Sequence, residues 1–262
     1  MNDLFISPKE KHRKKTFRRL KIYALLIIII FLLWGIYYLI SELSIFKINS
    51  LEILGQEKVS KAQIVSEIAP EIYNNYTAKL FGLNNIFSWP SGKIRSNNLL
   101  VDDISIEKNI WRRQIKISVD ERKKYGSWCE ALALSSPRCS WFDKNGFIFD
   151  SAPETNGKLI FKINSQPTNN ILTEGYILKP DLFSNFKKII ETLKINFLVE
   201  DFNFNKQNLD LSTKIINGPD LIFNLKFNPE INLTALKNIK EKNRLKGLKI
   251  IDLRIPNKIF YR

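Results

Sequence analysis

The chain has 262 residues and a formal net charge of +15, and it contains two cysteines and a single histidine, His12. One histidine in an N-terminal tail excludes Ser-His and Cys-His catalytic arrangements elsewhere, and two cysteines alone leave a zinc site two ligands short. The positive charge is spread over a Lys- and Asn-rich sequence, which is typical of a solvated surface. We therefore expect no metal, no cofactor and no nucleic-acid partner.

Residues 22–40 form one uncharged apolar run, IYALLIIIIFLLWGIYYLI. About 20 such residues, rising 1.5 Å each as a helix, match a hydrocarbon layer of roughly 30 Å. Eight basic residues precede the run within the tail 1–21, whereas Lys47 is the one cation in the fifteen residues after it. The positive-inside rule then predicts a single transmembrane helix over 22–40, a cytoplasmic tail and an extracytoplasmic remainder. A cleaved signal peptide is the alternative, but no small-x-small cleavage site follows the run.

A strand and a helix are predicted directly after the span. Residues 46–53 alternate apolar and polar side chains up to Gly55, which indicates a half-buried strand ended by a turn. Ser60 with Gln63 forms a capping box and predicts a helix start. Pro70 is the predicted end of that helix.

Residues 71–119 carry weaker structural signals at first and clearer ones towards the end. Residues 71–91 have weak periodicity, a second helix is predicted over 92–100, and residues 104–107 and 115–119 alternate as a hairpin with one buried face. The order strand, helix, helix, strand, strand over residues 45–124 predicts an α+β module with two helices on a three-stranded sheet.

Residues 125–262 predict a second, mostly antiparallel β domain with flanking helices. Apolar strands flank Asp143–Gly146, a turn of Asn-Gly type that lacks the spacing of a calcium loop. Leu182 to Leu193 carries one apolar helical stripe, and a further helix is predicted to end near Gly247. Strand-like runs are predicted at 197–204, 209–216, 221–227, 248–253 and 258–261.

Cys129 and Cys139 bracket a short loop rich in Ser, Pro and Ala in the part predicted to be exported. A disulfide is the natural interpretation in an oxidising compartment, and closing this loop stabilises a fold by roughly 2–3 kcal/mol. Two free thiols remain the alternative in a host that lacks oxidative folding.

No catalytic constellation is predicted. Asp102-Asp103 and Glu200-Asp201 are adjacent carboxylates, but neighbours on a strand point to opposite faces and do not share one site. We expect solvated acids and a protein that is not an enzyme.

Four sequence motifs follow one another along the chain. They are Phe46-x-Ile48-x-x-Leu51-x-Ile53-x-Gly55, Trp111-Arg-Arg-Gln-Ile115-x-Ile117-x-Val119-x-Glu121-Arg122, Trp141-Phe142-Asp143-x-x-Gly146-x-Ile148-Phe149 and Ile251-Asp252-Leu253-Arg254-Ile255-Pro256-Asn257-Lys258. In this order they resemble the FtsQ/DivIB family of bacterial cell division proteins, across nearly the whole chain. Arg112 stands where the family usually has proline, and the stretch 73–89 is longer than expected.

The resemblance implies a POTRA domain over 45–124 and an FtsQ-like β domain over 125–262, in a single-pass protein of the cell (inner or cytoplasmic) membrane enriched at the septum. It implies a non-enzymatic scaffold that binds FtsB- or DivIC-like and FtsL-like bitopic proteins and other divisome components. The basic tail is also expected to contact membrane lipid. Strand addition at an open sheet edge is the expected binding mode. The residues implicated by motif and position are Arg254, Ile255, Lys258, Ile259, Phe260 and Tyr261.

Three other functions remain open from the sequence. The first is a POTRA-containing envelope protein of polypeptide export or assembly, and the second is a membrane-anchored cell-wall enzyme. The third is an N-glycosylated type II protein, based on the acceptor sequences at Asn75 and Asn232.

Overall fold

The computed structural model describes residues 8–131, 137–154, 161–166, 175–242 and 244–262, with side chains from residue 17 onward. Within this part the protein is α+β, with an N-terminal apolar helix and a mixed-sheet domain. The chain divides into two compact units, one of Met1–Asn97 with Asp103–Asp120 and one of Asn98–Asp102 with Glu121–Arg262.

The N-terminal helix α1 spans Pro8–Glu42 and is longer than the predicted 22–40. Within Phe17–Glu42, an 18-residue window has a mean hydropathy of 2.5 and is not buried by the rest of the protein. By length and composition, α1 is therefore able to cross a membrane.

The first unit contains a four-stranded sheet in the order β1-β4-β3-β2. β1 runs parallel to β4, from Ser50 opposite Gln114 to Leu54 opposite Ser118. The predicted hairpin is present as β3 and β4, whereas the predicted strand at 46–53 begins only at Ser50 because residues 44–46 form a 3-10 turn. The four strands are β1 (Ser50–Leu54), β2 (Gly92–Ile94), β3 (Val101–Asn109) and β4 (Gln114–Glu121).

Helix α2 (Lys61–Asn74) begins at the predicted capping box, in which Gln63 N donates to Ser60 Oγ. The predicted end at Pro70 is wrong, because the helix continues one turn beyond it. A mid-helix proline costs about 3 kcal/mol. Burial of Ile72 on the same face as Ile68 stabilises that turn by roughly 1.5–3 kcal/mol per side chain and offsets the loss.

The second helix of this unit lies earlier than predicted. Helix α3 spans Tyr76–Phe81. Asn75 is its N-cap, and the Asn75 side chain accepts a hydrogen bond from Thr77 N at 3.1 Å. The predicted helix over 92–100 is wrong. Gly92 has φ +98°, which is not helical, and it starts edge strand β2, paired antiparallel with β3.

The second unit contains a ten-stranded mixed sheet in the order β14-β13-β12-β11-β10-β8-β5-β6-β7-β9. Six of its nine pairings between described strands are antiparallel and three are parallel, so the expected antiparallel character holds only in part. The strands are β5 (Gly126–Glu130), β6 (Arg138–Phe142), β7 (Phe147–Ala152), β8 (Lys162–Ser165), β9 (Gly175–Tyr176), β10 (Phe202–Asn205), β11 (Asp210–Lys214), β12 (Asp220–Asn224), β13 (Ile250–Leu253) and β14 (Phe260–Tyr261).

Two helices share one hydrophobic core with this sheet. Helix α4 (Pro180–Asn196) buries its predicted stripe through Phe186, Ile189 and Leu193. Helix α5 (Glu230–Glu241) ends before the predicted Gly247, because no stripe residue follows Ile239 and the chain turns cationic. The strand side of the core includes Trp128, Phe142, Ile163, Phe202, Phe204, Leu211, Leu221, Phe223, Ile251 and Leu253.

Candidate partner-binding edge

The last strand, β14, forms one edge of the ten-stranded sheet, and no described strand lies beyond it. Tyr261 is opposite Ile251 in the antiparallel pairing with β13. Ile250 and Arg262 exchange both main-chain hydrogen bonds, at 3.2 Å and 3.0 Å. Because bonded and non-bonded pairs alternate along such a ladder, the N–H and C=O of Tyr261 point away from β13. This edge therefore presents main-chain groups to an incoming strand.

Side chains at this edge are unusually apolar for solvent-exposed positions. Phe260 is 52% exposed, Tyr261 67% and Ile255 47%. Lys258 is exposed as well, but Ile259 is partly buried and packs against the core. The predicted cluster is thus brought together in space, with Ile259 holding β14 to the fold and its neighbours available for contact.

The turn that leads into β14 is fixed from helix α5. Asn232 is 5% exposed, and its side-chain Nδ2 donates to Leu253 O at 2.9 Å and to Ile255 O at 3.0 Å. Sequence reasoning missed this residue. Its position four residues before Leu236 places a polar side chain on the buried stripe of α5, which is a usable signal, because buried amides need hydrogen-bond partners.

Arg254 lies at the centre of a charged network beside the edge. Its guanidinium donates to the Asp252 carboxylate at 2.6 Å and to Asp210 Oδ2 at 3.4 Å. Asn224 Nδ2 donates to the other Asp210 oxygen at 2.7 Å. The hydrogen bond from Arg254 lowers the pKa of Asp252 below its ordinary value of 3.8 and raises the pKa of Arg254. Both groups are therefore charged at neutral pH, and Arg254 is held in place on an exposed surface.

The two cysteines lie far from this edge. Cys129 and Cys139 are directly opposite each other in β5 and β6, and the structure joins them in a disulfide. Residues 132–136 of the loop that they bracket lie outside the described residues. Seven strand spacings separate β6 from β14, roughly 34 Å along the sheet. The disulfide therefore belongs to the scaffold and not to the edge.

The adjacent carboxylates at 102–103 do not share a site. Asp102 pairs with Arg122 at 2.7 Å, while Asp103 pairs with Lys93 at 2.5 Å. Arg122 also contacts Asp143 at 2.5 Å and connects the Glu-Arg motif to the 143–146 turn. Each acid is thus occupied by its own cation.

The asparagine side chains of both glycosylation acceptor sequences are engaged in hydrogen bonds within the fold. Besides the two bonds of Asn232, Asn75 Nδ2 donates to Ser88 O at 3.2 Å. The amide nitrogen is the atom to which a glycan is attached, so a glycan at either position would displace these hydrogen bonds. The structure gives no support to the glycoprotein alternative.

Comparison with known proteins adds no relative. No model of a protein family matches this chain, and no curated protein shows significant similarity to it. The sequence motifs and the geometry of the edge are therefore the observations that bear on function.

Proposed function

We propose that the protein is a bitopic, non-enzymatic scaffold of bacterial cell division that binds a partner by strand addition along β14. The observation that carries the proposal is the open edge itself. The outward N–H and C=O of Tyr261 lie beside the exposed ring of Phe260, directly after the motif that resembles the C-terminus of the FtsQ/DivIB family. Main-chain pairing supplies affinity, and pockets for alternate side chains supply specificity.

Membrane anchoring by α1 is part of this proposal. The candidate membrane-spanning segment of α1 is Phe17–Glu42, and eight basic residues precede its uncharged run at 22–40. The tail is then cytoplasmic, and the chain that follows α1 lies on the outer side.

The element order of the first unit supports the POTRA resemblance. A strand, two helices and a hairpin follow one another as β1, α2, α3, β3 and β4, with β2 as an additional edge strand. The predicted boundary at 124 lies close to the end of this unit at Asp120.

The partner is an extracytoplasmic segment of an FtsB- or DivIC-like bitopic protein, accompanied by an FtsL-like protein. Such a segment extends the sheet beyond β14, with Phe260 as an aromatic anchor and Arg254, whose side chain is 44% exposed, as a contact for an acidic side chain. Through this contact the protein connects divisome components at the septum.

Affinity capture tests the proposal. The tagged full-length protein is solubilised from membranes of the source bacterium, and co-purifying membrane proteins are identified by mass spectrometry. We expect small bitopic coiled-coil proteins of division to be enriched over an untagged control. Enrichment of export or barrel-assembly components instead would favour a POTRA protein of envelope assembly and contradict the proposal.

A further inference from the structure

The direction of the strands fixes which end of the first unit faces α1. β1 and β4 are parallel, with Ser50 opposite Gln114. The start of β4 therefore lies at the same end of the sheet as the start of β1, where the chain arrives from α1. The hairpin tip 110–113, which joins β3 to β4, must lie at that end.

Hydrogen bonds place this tip beside the end of α1. A guanidinium nitrogen of Arg113 donates to Ser44 O at 3.1 Å, and Asn49 N donates to Arg113 O at 2.8 Å. Ser44 is only two residues beyond Glu42, the last residue of α1.

The end of α3 also lies beside the last turns of α1. Tyr37 Oη donates to Leu80 O at 3.3 Å, and Asn85 Nδ2 donates to Ile40 O at 2.7 Å. Tyr37 lies five residues before the end of α1, so its Cα is about 7.5 Å below that end along the helix axis. The loop after α3 therefore lies beside the last turns of the apolar helix.

This end of the unit exposes large apolar side chains. Trp111 at the hairpin tip is 90% exposed, the highest exposure among the large apolar side chains that the structure describes. Four others around the end of α1 are 42–45% exposed, and together with Trp111 they form what we call the membrane-proximal rim: Leu43, Ile45, Leu80 and Leu83. Several large apolar side chains exposed at one end of a unit are typical of a surface that contacts a partner or a membrane.

We propose that the membrane-proximal rim, led by Trp111, is embedded in the interfacial layer of the bilayer that α1 crosses. Tryptophan is enriched at this depth, and exposed Arg112 beside it is suited to lipid phosphate. The occupant is lipid because hydrogen bonds hold the hairpin tip and the end of α3 beside the end of α1, where a helix that crosses the bilayer passes into the headgroup layer. The inference rests on the proposed anchoring by α1 and is independent of the role in division.

Fluorescence quenching in the full-length protein tests this placement. Trp111→Cys is labelled with the environment-sensitive dye NBD, and the protein is reconstituted in vesicles of phosphatidylglycerol and phosphatidylcholine, with or without nitroxide near the glycerol end of the acyl chains. Trp34→Cys inside α1 is the positive control for anchoring. Asp120→Cys is the matched control, since this exposed residue lies on β4 about 23 Å from the tip. Unsubstituted protein, treated identically, gives the background.

The expected result is blue-shifted emission and loss of intensity with nitroxide lipid at positions 34 and 111, and neither effect at position 120. Quenching at 34 without quenching at 111 would overturn the placement of the rim while leaving the anchor intact. Quenching at none of the three positions would overturn the anchoring and the rim together. Equal quenching at all three positions would also overturn the placement of the rim, because the hairpin tip would then be no closer to the bilayer than the far end of β4.

Discussion

Replacing Tyr261 separates the main-chain role of the β14 edge from its side-chain role. The N–H of Tyr261 points away from β13, so Tyr261→Pro removes a donor that only an added strand uses. Tyr261→Ala is the matched control, because both variants lose the phenol ring and only the proline variant loses the N–H. The difference between the two variants therefore reports the main-chain contact.

The magnitude follows from the loss of one hydrogen bond. A partner carbonyl left without a donor in a closed interface costs about 1–3 kcal/mol. The proline variant should then bind the captured partner roughly 5- to 150-fold more weakly than the alanine variant, since 1.4 kcal/mol corresponds to tenfold.

The assay is titration of the partner's extracytoplasmic segment onto full-length protein in nanodiscs, with thermal unfolding measured on the same samples. The unfolding midpoints of the two variants should agree, because the pairing of Ile250 with Arg262 is retained in both. Equal affinities for the proline and alanine variants would refute the reasoning that β14 is the pairing edge.

Four further outcomes are expected. Asn232→Ala should lower the free energy of unfolding by about 1–3 kcal/mol, because two carbonyls lose their donor, whereas Asn238→Ala on the exposed face of the same helix should change it little. Alkylation followed by mass spectrometry should leave Cys129 and Cys139 unmodified until a reductant is added; ready modification of the native protein would contradict the disulfide. A phosphatase that is active only outside the cytoplasm should be active when fused to the C-terminus, and an inactive fusion would contradict the topology. Folding lowers the pKa of Asp252, so its ion pair contributes stability above pH 3.8 that is lost as the pH falls through the lower folded pKa. Substituting Asp252 should therefore lower the unfolding midpoint more at pH 7 than at pH 3, and equal shifts at both pH values would contradict this.

Sequence patterns predicted the elements that carry strong local signals. The capping box at Ser60 and the Asn-Gly turn at 143–146 were placed correctly because their side chains bond to nearby main chain. The prediction failed at Pro70 and Gly92, where burial of Ile72 and pairing with β3 decided the outcome. These are tertiary effects that a local pattern does not contain.

The edge was predictable in part for a similar reason. The strand-like run at 258–261 predicted a last strand, and the structure places β14 at the edge of the sheet. The link from Arg254 to Asp210 and the support from Asn232 join residues 44 and 23 positions apart. Such contacts depend on the parallel pairing of β12 with β13, which no spacing in the sequence specifies.

The most direct test of the proposed division role is depletion of the protein in its source organism, with complementation by unsubstituted protein, Tyr261→Ala or Tyr261→Pro. Cell length and the position of fluorescent fusions are measured during growth. We predict that depleted cells grow as filaments. The unsubstituted and alanine forms should locate to the septum and restore division, whereas the proline form should insert in the membrane but leave the cells filamentous. Normal division in depleted cells would contradict the account.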